Sequence, residues 1–216
     1  MRVGPALRPA PPAAGPALRP AGLSASMSPM RLLFLENHDS FSWNVIESLP
    51  CERREVVIRP GREAAADSRV LWGFDAVVIG PGPTDPERAG IVEVVRAAAR
   101  AGLPLLGICL GHQALGLAFG ARLTRVRPAH GKLSAVRFSA SRLFPSFAGP
   151  EVVMRYHSLA LADVATPLRV VARTDDGIPM AIEHETLPMA GLQFHPDSYG
   201  TPRGREMIAG FFRVVA

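Results

Sequence analysis

The chain has 216 residues, of which 48% are hydrophobic and 20% are charged, so it can bury one sizeable core and needs no second domain. Charged residues, proline and glycine interrupt every apolar run well before the roughly 20 residues that a membrane-spanning helix needs, which excludes a helical membrane protein. Two cysteines are too few for a disulfide framework and suit a reducing compartment, so we expect a cytoplasmic protein.

The net charge of +5 and the pI near 10.2 would suit a protein that binds nucleic acid. The basic residues are spread thinly, however, and Lys132 is the only lysine. Arg2, Arg8 and Arg19 carry part of the charge in a segment without acids. The sequence has no basic stripe, aromatic platform or known nucleic-acid motif, so we expect no nucleic-acid partner.

Residues 1–30 are dominated by alanine, proline and glycine and follow neither helical nor strand periodicity. We expect a disordered extension, outside a domain that covers residues 31–216. Its arginines faintly resemble an organelle transit peptide, but its prolines oppose the amphipathic helix that such a peptide forms. We favour an idle extension, or translation that starts at Met27 or Met30.

From Arg31 onward, short apolar runs alternate with helical stretches, which is the pattern of βαβ units on a parallel sheet. Strands are predicted at 32–35, 55–58, 76–79, 103–108, 133–138, 151–154, 168–172 and 191–194. Helices are predicted at 40–49, 87–101 and 110–119. The sequence therefore predicts a single-domain α/β fold with a mixed, largely parallel sheet and helices on both faces.

A candidate nucleophile lies in Gly107-Ile108-Cys109-Leu110-Gly111, which has the form G-x-C-x-G between a predicted strand and a predicted helix. In a nucleophile elbow, the glycines allow a tight turn and the helix N-terminus stabilises a thiolate. This motif alone leaves a small buried structural cysteine open as the alternative. Cys51 lies in a loop-like stretch without flanking glycines, so we predict no catalytic role for it.

A cysteine nucleophile needs a base, and a carboxylate that orients the base completes the set. His195-Pro196-Asp197 offers both groups directly after the apolar run 192–194. His195 is thus predicted at a strand end, where open α/β sheets place their sites. Spacing alone does not exclude the other histidines, which are His38, His112, His130, His157 and His184.

Gly107-Ile108-Cys109-Leu110-Gly111-His112-Gln113 closely resembles the nucleophile motif of class I glutamine amidotransferases, and Gln193-Phe194-His195-Pro196-Asp197 resembles their histidine motif. Within that class, the chain is most similar to the amidotransferase component of anthranilate synthase and aminodeoxychorismate synthase. The segments that carry this similarity are Asn37-His38-Asp39-Ser40-Phe41-Ser42-Trp43-Asn44, His130-Gly131-Lys132, Arg155-Tyr156-His157-Ser158-Leu159 and Thr201-Pro202-Arg203-Gly204. The resemblance runs from about Arg31 to Phe212 and implies a flavodoxin-like core.

The resemblance also implies roles for individual residues. Cys109 would be the nucleophile, His195 the general base and then acid, and Asp197 its orienting carboxylate. The backbone amides of Gly82 and Leu110 would form the oxyanion hole. The residues implied to hold glutamine are Gly82, Pro83, Thr84, Gln113, Ser158 and Leu159.

The implied reaction is attack of the Cys109 thiolate on the amide of L-glutamine, release of ammonia, and hydrolysis of a γ-glutamyl thioester. It needs no metal or organic cofactor in this chain. The implied partner is a chorismate-binding synthase subunit, component I, which would take up the ammonia and is expected to hold Mg²⁺. Whether the aminated product is anthranilate or aminodeoxychorismate stays open.

Two residues depart from the family pattern. Asp197 stands where the family usually has Glu, and Thr84 stands where the loop usually has a second glycine. Because aspartate is one methylene shorter, we expect reduced but real activity; Thr84 is strained only if its φ is positive. One alternative is an impaired subunit that only binds or regulates a synthase. Another is the amidotransferase subunit of a different synthetase, such as GMP synthetase.

Overall fold

The structure, a computed structural model, describes residues 30–215, so the predicted extension up to residue 29 lies outside the described residues. Met30 is buried in the core. The described chain forms nine strands and five α-helices. The strands are β1 (Leu32–Glu36), β2 (Val56–Pro60), β3 (Ala76–Ile79), β4 (Leu105–Ile108), β5 (Arg122–Phe138), β6 (Gly149–Ala162), β7 (Leu168–Thr174), β8 (Pro179–His184) and β9 (Met189–Leu192). The helices are α1 (Ser42–Ile46), α2 (Gly61–Ala66), α3 (Ile91–Ala101), α4 (Leu110–Ala118) and α5 (Gly204–Val215).

The nine strands form one mixed sheet in the order β2-β1-β3-β4-β9-β8-β7-β5-β6. The first five strands in this order pair in parallel, and the pairs from β9 onward are antiparallel. The predicted α/β fold with a mixed sheet is confirmed. The helices follow the parallel strands because a chain needs a crossover element between two parallel neighbours.

Side-chain alternation in β1 divides the core between the two faces of the sheet. Leu32 and Phe34 pack with the apolar residues of α1 and α5 on one face. Leu33 and Leu35 pack with those of α2, α3 and α4 on the other face. Because successive strand residues point to opposite faces, a continuous apolar run is what a strand covered on both sides requires. The predicted placement of helices on both faces is confirmed.

Some predicted elements have different ends in the structure. The first helix is shorter than the predicted 40–49, because the N–H groups of Ser48 and Leu49 bond three rather than four residues back. The helix predicted at 87–101 begins only at Ile91, because Gly90 adopts a left-handed conformation with φ 70°. Helices α2 and α5 and strand β8 have no counterpart among the predicted elements.

The carboxyl ends of the parallel strands lie along one edge of the sheet. Ile108 at the end of β4 pairs with Leu192 at the end of β9, so the residues that follow them emerge side by side. Strand β6 reaches the same edge, where Met154 forms an antiparallel bridge with His195. Clefts at this edge are where open α/β sheets bind their ligands.

Candidate active site

Cys109 lies in the turn between β4 and α4, as the sequence predicts. Its backbone has φ 51° and ψ −94°, in a region that residues with a side chain rarely adopt. Such a conformation costs on the order of 1–3 kcal/mol and persists only where the surrounding fold enforces it. The Cys109 N–H donates to the Leu192 carbonyl over 2.8 Å, which fixes the turn to β9.

The two glycines that flank Cys109 are required by close backbone contacts. A Cβ atom on Gly107 would lie 2.4 Å from the carbonyl carbon of Gly111. A Cβ atom on Gly111 would lie 2.5 Å from the carbonyl oxygen of Ile79 in β3. Because both neighbours are backbone atoms of packed elements, neither contact can be relieved by a side-chain rotation. The G-x-C-x-G spacing therefore allows α4 to start directly against the sheet.

His195 and Asp197 are placed beside Cys109 by the segment that follows β9. The imidazole lies close enough to the Cys109 thiol for the sulfur to raise the pKa of the ring. On its other side, Nδ1 lies 3.4 Å from Oδ1 of Asp197. This distance is longer than a normal hydrogen bond, and neither atom has a hydrogen-bond partner among the described residues. The contact is an electrostatic one between two fully desolvated groups.

The charges around His195 favour its protonated form. Burial alone would lower its pKa, but the Asp197 carboxylate and the Cys109 thiol outweigh burial and raise the pKa to about 10. An imidazolium beside the sulfur stabilises the thiolate form of the cysteine. A cysteine that lies beside an imidazolium is arranged for nucleophilic attack.

The ring of His195 is held by two aromatic side chains and by its own backbone. Phe41 and Tyr156 contact the ring edge-on, with centroid distances of 5.5 and 5.1 Å. The Thr201 hydroxyl donates to the His195 carbonyl over 2.7 Å and accepts from the Met154 N–H over 3.0 Å. Thr201 thus links the histidine segment to β6. The sequence motifs contain these residues, but no pattern in them indicates the contacts.

The predicted oxyanion donors are Gly82, in the loop after β3, and Leu110, the first residue of α4, and the two residues pack against each other. A Cβ atom on Gly82 would lie 2.7 Å from the Leu110 side chain and 2.8 Å from Cβ of Asn37. The buried Asn37 amide donates to the carbonyls of Leu35 and Gly80, which ties the Gly80 loop to the end of β1. Neither the Gly82 nor the Leu110 N–H donates a backbone hydrogen bond within the described chain.

Pro83 and Thr84 continue this loop and are exposed. Among the described residues, the side-chain-bearing positions with positive φ are His38, Cys109 and Asp163. Thr84 is not one of them, so its β-carbon introduces no backbone strain.

Gln113 on α4 is hydrogen-bonded to the predicted glutamine-binding segment of β6. Its Nε2 donates to the Leu159 carbonyl and to Oε1 of Gln193, each over 3.1 Å. Ser158 precedes Leu159 on β6 and is partly exposed. Gln193 is fully buried, and its own Nε2 lies 3.6 Å from the Cys109 sulfur. Although Gln193 stands two residues before His195 on the same extended segment, its sequence context predicts no role for it.

The remaining histidines and the second cysteine occupy other environments. His112 is completely buried on α4, and burial lowers its pKa to about 3. His157 accepts a hydrogen bond from Arg155, and burial together with this guanidinium lowers its pKa to about 4. His184 packs against Phe119 instead. Burial and Glu55 raise the pKa of the Cys51 thiol to about 11, which disfavours a thiolate there.

Metal-binding clusters and membrane-spanning helices are both absent from the described part of the chain. Residues 30–215 contain no group of three or more His, Cys, Asp or Glu side chains that could hold a metal ion. Over the same residues, no helix is both long and apolar enough to cross a lipid bilayer.

The profile of a family described as "Glutamine amidotransferase class-I" matches residues 33–215. Anthranilate synthase component 2 of Mycobacterium tuberculosis is 41% identical over 188 residues, which cover 84% of this chain and 81% of that protein. Aminodeoxychorismate synthase of Streptomyces griseus is 42% identical over 185 residues, or 84% of this chain. The match spans only 26% of the length of that longer relative.

A solved structure from Thermoplasma acidophilum, described as a subunit of GMP synthase, has a similar fold. The TM-score is 0.75, and the match covers 86% of this chain and 94% of the other chain. The sequence identity is 20%, so this likeness concerns the fold alone.

Proposed function

The chain belongs to the class I glutamine amidotransferases, and from that premise we propose that it is the glutamine-hydrolysing component of a synthase that aminates chorismate. The observation that carries the proposal is the convergence of a thiol, an imidazole and a carboxylate at the carboxyl edge of the parallel strands. These three groups are the set that nucleophilic hydrolysis of an amide needs.

In the proposed reaction, the Cys109 thiolate attacks the side-chain amide carbon of glutamine. His195 then donates its proton to the departing nitrogen, so that ammonia leaves and a γ-glutamyl thioester remains. Deprotonated His195 next removes a proton from water, which hydrolyses the thioester to glutamate and restores the thiolate beside the protonated His195. Asp197 stabilises the positive charge on His195 through both steps.

The unused N–H groups of Gly82 and Leu110 support their proposed role as the oxyanion hole. Removing one such donor typically costs about 10²–10³ in rate. Gln113 has its amide nitrogen committed to Leu159 and Gln193, so its oxygen is the group left to accept from the α-ammonium of glutamine. Ser158, Leu159 and the loop from Gly82 to Thr84 would complete the glutamine site.

The relatives at 41–42% identity are named for anthranilate and aminodeoxychorismate synthesis, and these names favour a chorismate-binding partner, component I. A surface beside the site suits docking. Leu133, Val152 and Tyr199 are exposed there and line a pocket of about 550 Å³ that also reaches Asp197. Apolar side chains clustered on a surface often mark a protein interface. The proposed chemistry uses only side chains and backbone amides of this chain.

The second candidate is an impaired subunit that binds a synthase without releasing ammonia. The 3.4 Å separation between His195 and Asp197 is the observation that favours it. The presence of all three groups opposes it, because the thiol, the imidazole and the carboxylate that amide hydrolysis needs lie together in the site.

The experiment is to measure glutamate formation from glutamine by the full chain, alone and with a chorismate-binding synthase subunit, with and without chorismate. We expect turnover that rises when the partner and chorismate are present. The matched control is Cys109→Ala, which should lose at least about a thousandfold because no other group in the site can form the thioester. Partner binding without turnover under every condition would favour the impaired subunit.

A further inference from the structure

A chain of buried hydrogen bonds runs from β6 to the nucleophile. Arg155 Nε donates to His157 Nε2 over 3.0 Å, and His157 Nδ1 lies 2.9 Å from the Leu159 carbonyl oxygen. Gln113 bridges the same carbonyl to Gln193, whose amide nitrogen faces the Cys109 sulfur. The segment from Gln113 to the sulfur is buried, so water does not compete for these bonds.

Arg155 determines which group donates in each hydrogen bond of this series. A guanidinium has no acceptor, so His157 Nε2 must accept from Arg155, and the histidine proton must lie on Nδ1 and be donated to the Leu159 carbonyl. This carbonyl can only accept, so Gln113 must turn its amide nitrogen towards it. The nitrogen's second hydrogen then points at Gln193.

The orientation of the Gln193 amide follows from that of Gln113. Because Gln113 donates, Gln193 must present its oxygen to Gln113 and its nitrogen to the sulfur. An N–H directed at a sulfur stabilises the anionic acceptor more than the neutral thiol, since hydrogen bonds to charged groups are the stronger ones. We propose that Gln193 is a further catalytic residue, which donates a hydrogen bond to Cys109 and holds it as the thiolate.

Gln113 is, in this inference, a positioning residue that acts on the sulfur through Gln193. The oxygen of the Gln113 amide would accept a hydrogen bond from glutamine. The nitrogen of the same amide holds Gln193 in place beside the Cys109 sulfur. The inference rests on the proposed function for its catalytic meaning, but the hydrogen bond to the thiolate can be measured without glutamine turnover.

The titratable groups near the sulfur allow a clean pH measurement. His195 faces the sulfur from the segment after β9, with Asp197 behind it. His112 on α4 and His157 on β6 have pKa values lowered to about 3 and about 4 by burial, so both stay neutral above pH 5. Arg155 is charged throughout this range. A change in the alkylation profile above pH 5 therefore reports on the sulfur and its His195 partner.

The test is the rate of Cys109 alkylation by iodoacetamide between pH 5 and pH 9, followed by mass spectrometry in a Cys51→Ser background. Gln193→Met keeps the length of the side chain and removes the donor. We expect the midpoint of its rate profile to rise by on the order of one pH unit. Gln193→Glu should move the midpoint at least as far, because an ionised carboxylate repels the thiolate. Gln113→Met should move it in the same direction by less.

A merely structural Gln193 would lower the unfolding temperature and leave the midpoint in place, and that result for Gln193→Met would overturn the inference. If Gln193→Met does not fold, the isosteric Gln193→Glu carries the test, and an unmoved midpoint there overturns it equally. If the parent protein fails to hydrolyse glutamine but its midpoint depends on Gln193, the proposed function fails and the role of Gln193 stands.

Discussion

The carboxylate of Asp197 is buried without a hydrogen-bond partner in the described chain, 3.4 Å from the histidine that it would orient. A buried charge in this state is costly, because the desolvation of the carboxylate is offset only by its attraction to the imidazolium. Asp197 also lines the pocket beside Tyr199, although its carboxyl oxygens are buried. The departure from the family pattern is thus visible as a loose contact.

Restoring the longer acid should tighten this contact. For Asp197→Glu, we expect kcat/KM for glutamine hydrolysis to increase several-fold, because the extra methylene brings an oxygen within hydrogen-bond distance of Nδ1. Asp197→Asn is the matched control, which keeps the size, removes the charge, and should lower kcat/KM by at least about tenfold. Steady-state kinetics at pH 8 would check both; a lower value for Asp197→Glu would show that the pocket cannot take the larger side chain.

At the scale of elements, the site depends on how closely α4 approaches the sheet. The helix starts against β3, and Gly111 lies where a Cβ atom would meet the Ile79 backbone. Gly210 offers a contrast within α5, because a Cβ atom there would meet only the end of the Arg213 side chain at 3.8 Å. Two glycines inside helices are therefore under different constraints.

These two glycines should respond oppositely to alanine. Gly111→Ala should lower the free energy of unfolding by about 1–3 kcal/mol, because overpacking forces α4 away from the sheet. Gly210→Ala, its matched control, should raise the free energy of unfolding by about 0.5–1 kcal/mol through helix propensity alone. Urea titrations monitored by circular dichroism would measure both changes. Equal changes in the two variants would contradict the close approach at Gly111.

At the scale of the whole molecule, His112 and His157 are buried in their neutral form next to the site. Burial is the main cause of their low pKa values, about 3 and about 4, and Arg155 adds to it at His157. A folded-state pKa below the unfolded value of about 6.5 means that the unfolded chain binds more protons. The stabilising contribution is therefore complete above pH 6.5 and is lost as the pH falls towards 4 and 3.

Acid should consequently destabilise the fold before the carboxylates titrate. Between pH 7 and pH 5, we expect each of these histidines to lower the free energy of unfolding by about 2 kcal/mol. In His157→Gln the loss of unfolding free energy between pH 7 and pH 5 should be smaller than in the parent by about 2 kcal/mol. Urea unfolding at pH 7 and pH 5 would measure this, and an identical loss in the parent and in His157→Gln would disprove the linkage.

The sequence by itself determined the fold class, the family, and the strand–turn–helix setting of Cys109. These follow from local features: continuous apolar runs require strands covered on both faces, and flanking glycines permit a tight elbow. It also indicated His195 and Asp197, because a histidine and an acid directly after an apolar run fall at a strand end.

Only the tertiary structure decided how these groups work together. The pairing of Ile108 with Leu192 brings the ends of β4 and β9 side by side, and β6 adds Tyr156 and the Leu159 carbonyl from a distant part of the chain. The donor on the sulfur, the 3.4 Å gap to Asp197 and the harmless φ of Thr84 are consequences of this packing. Such distances depend on contacts between residues far apart in the sequence, which no local pattern of residues encodes.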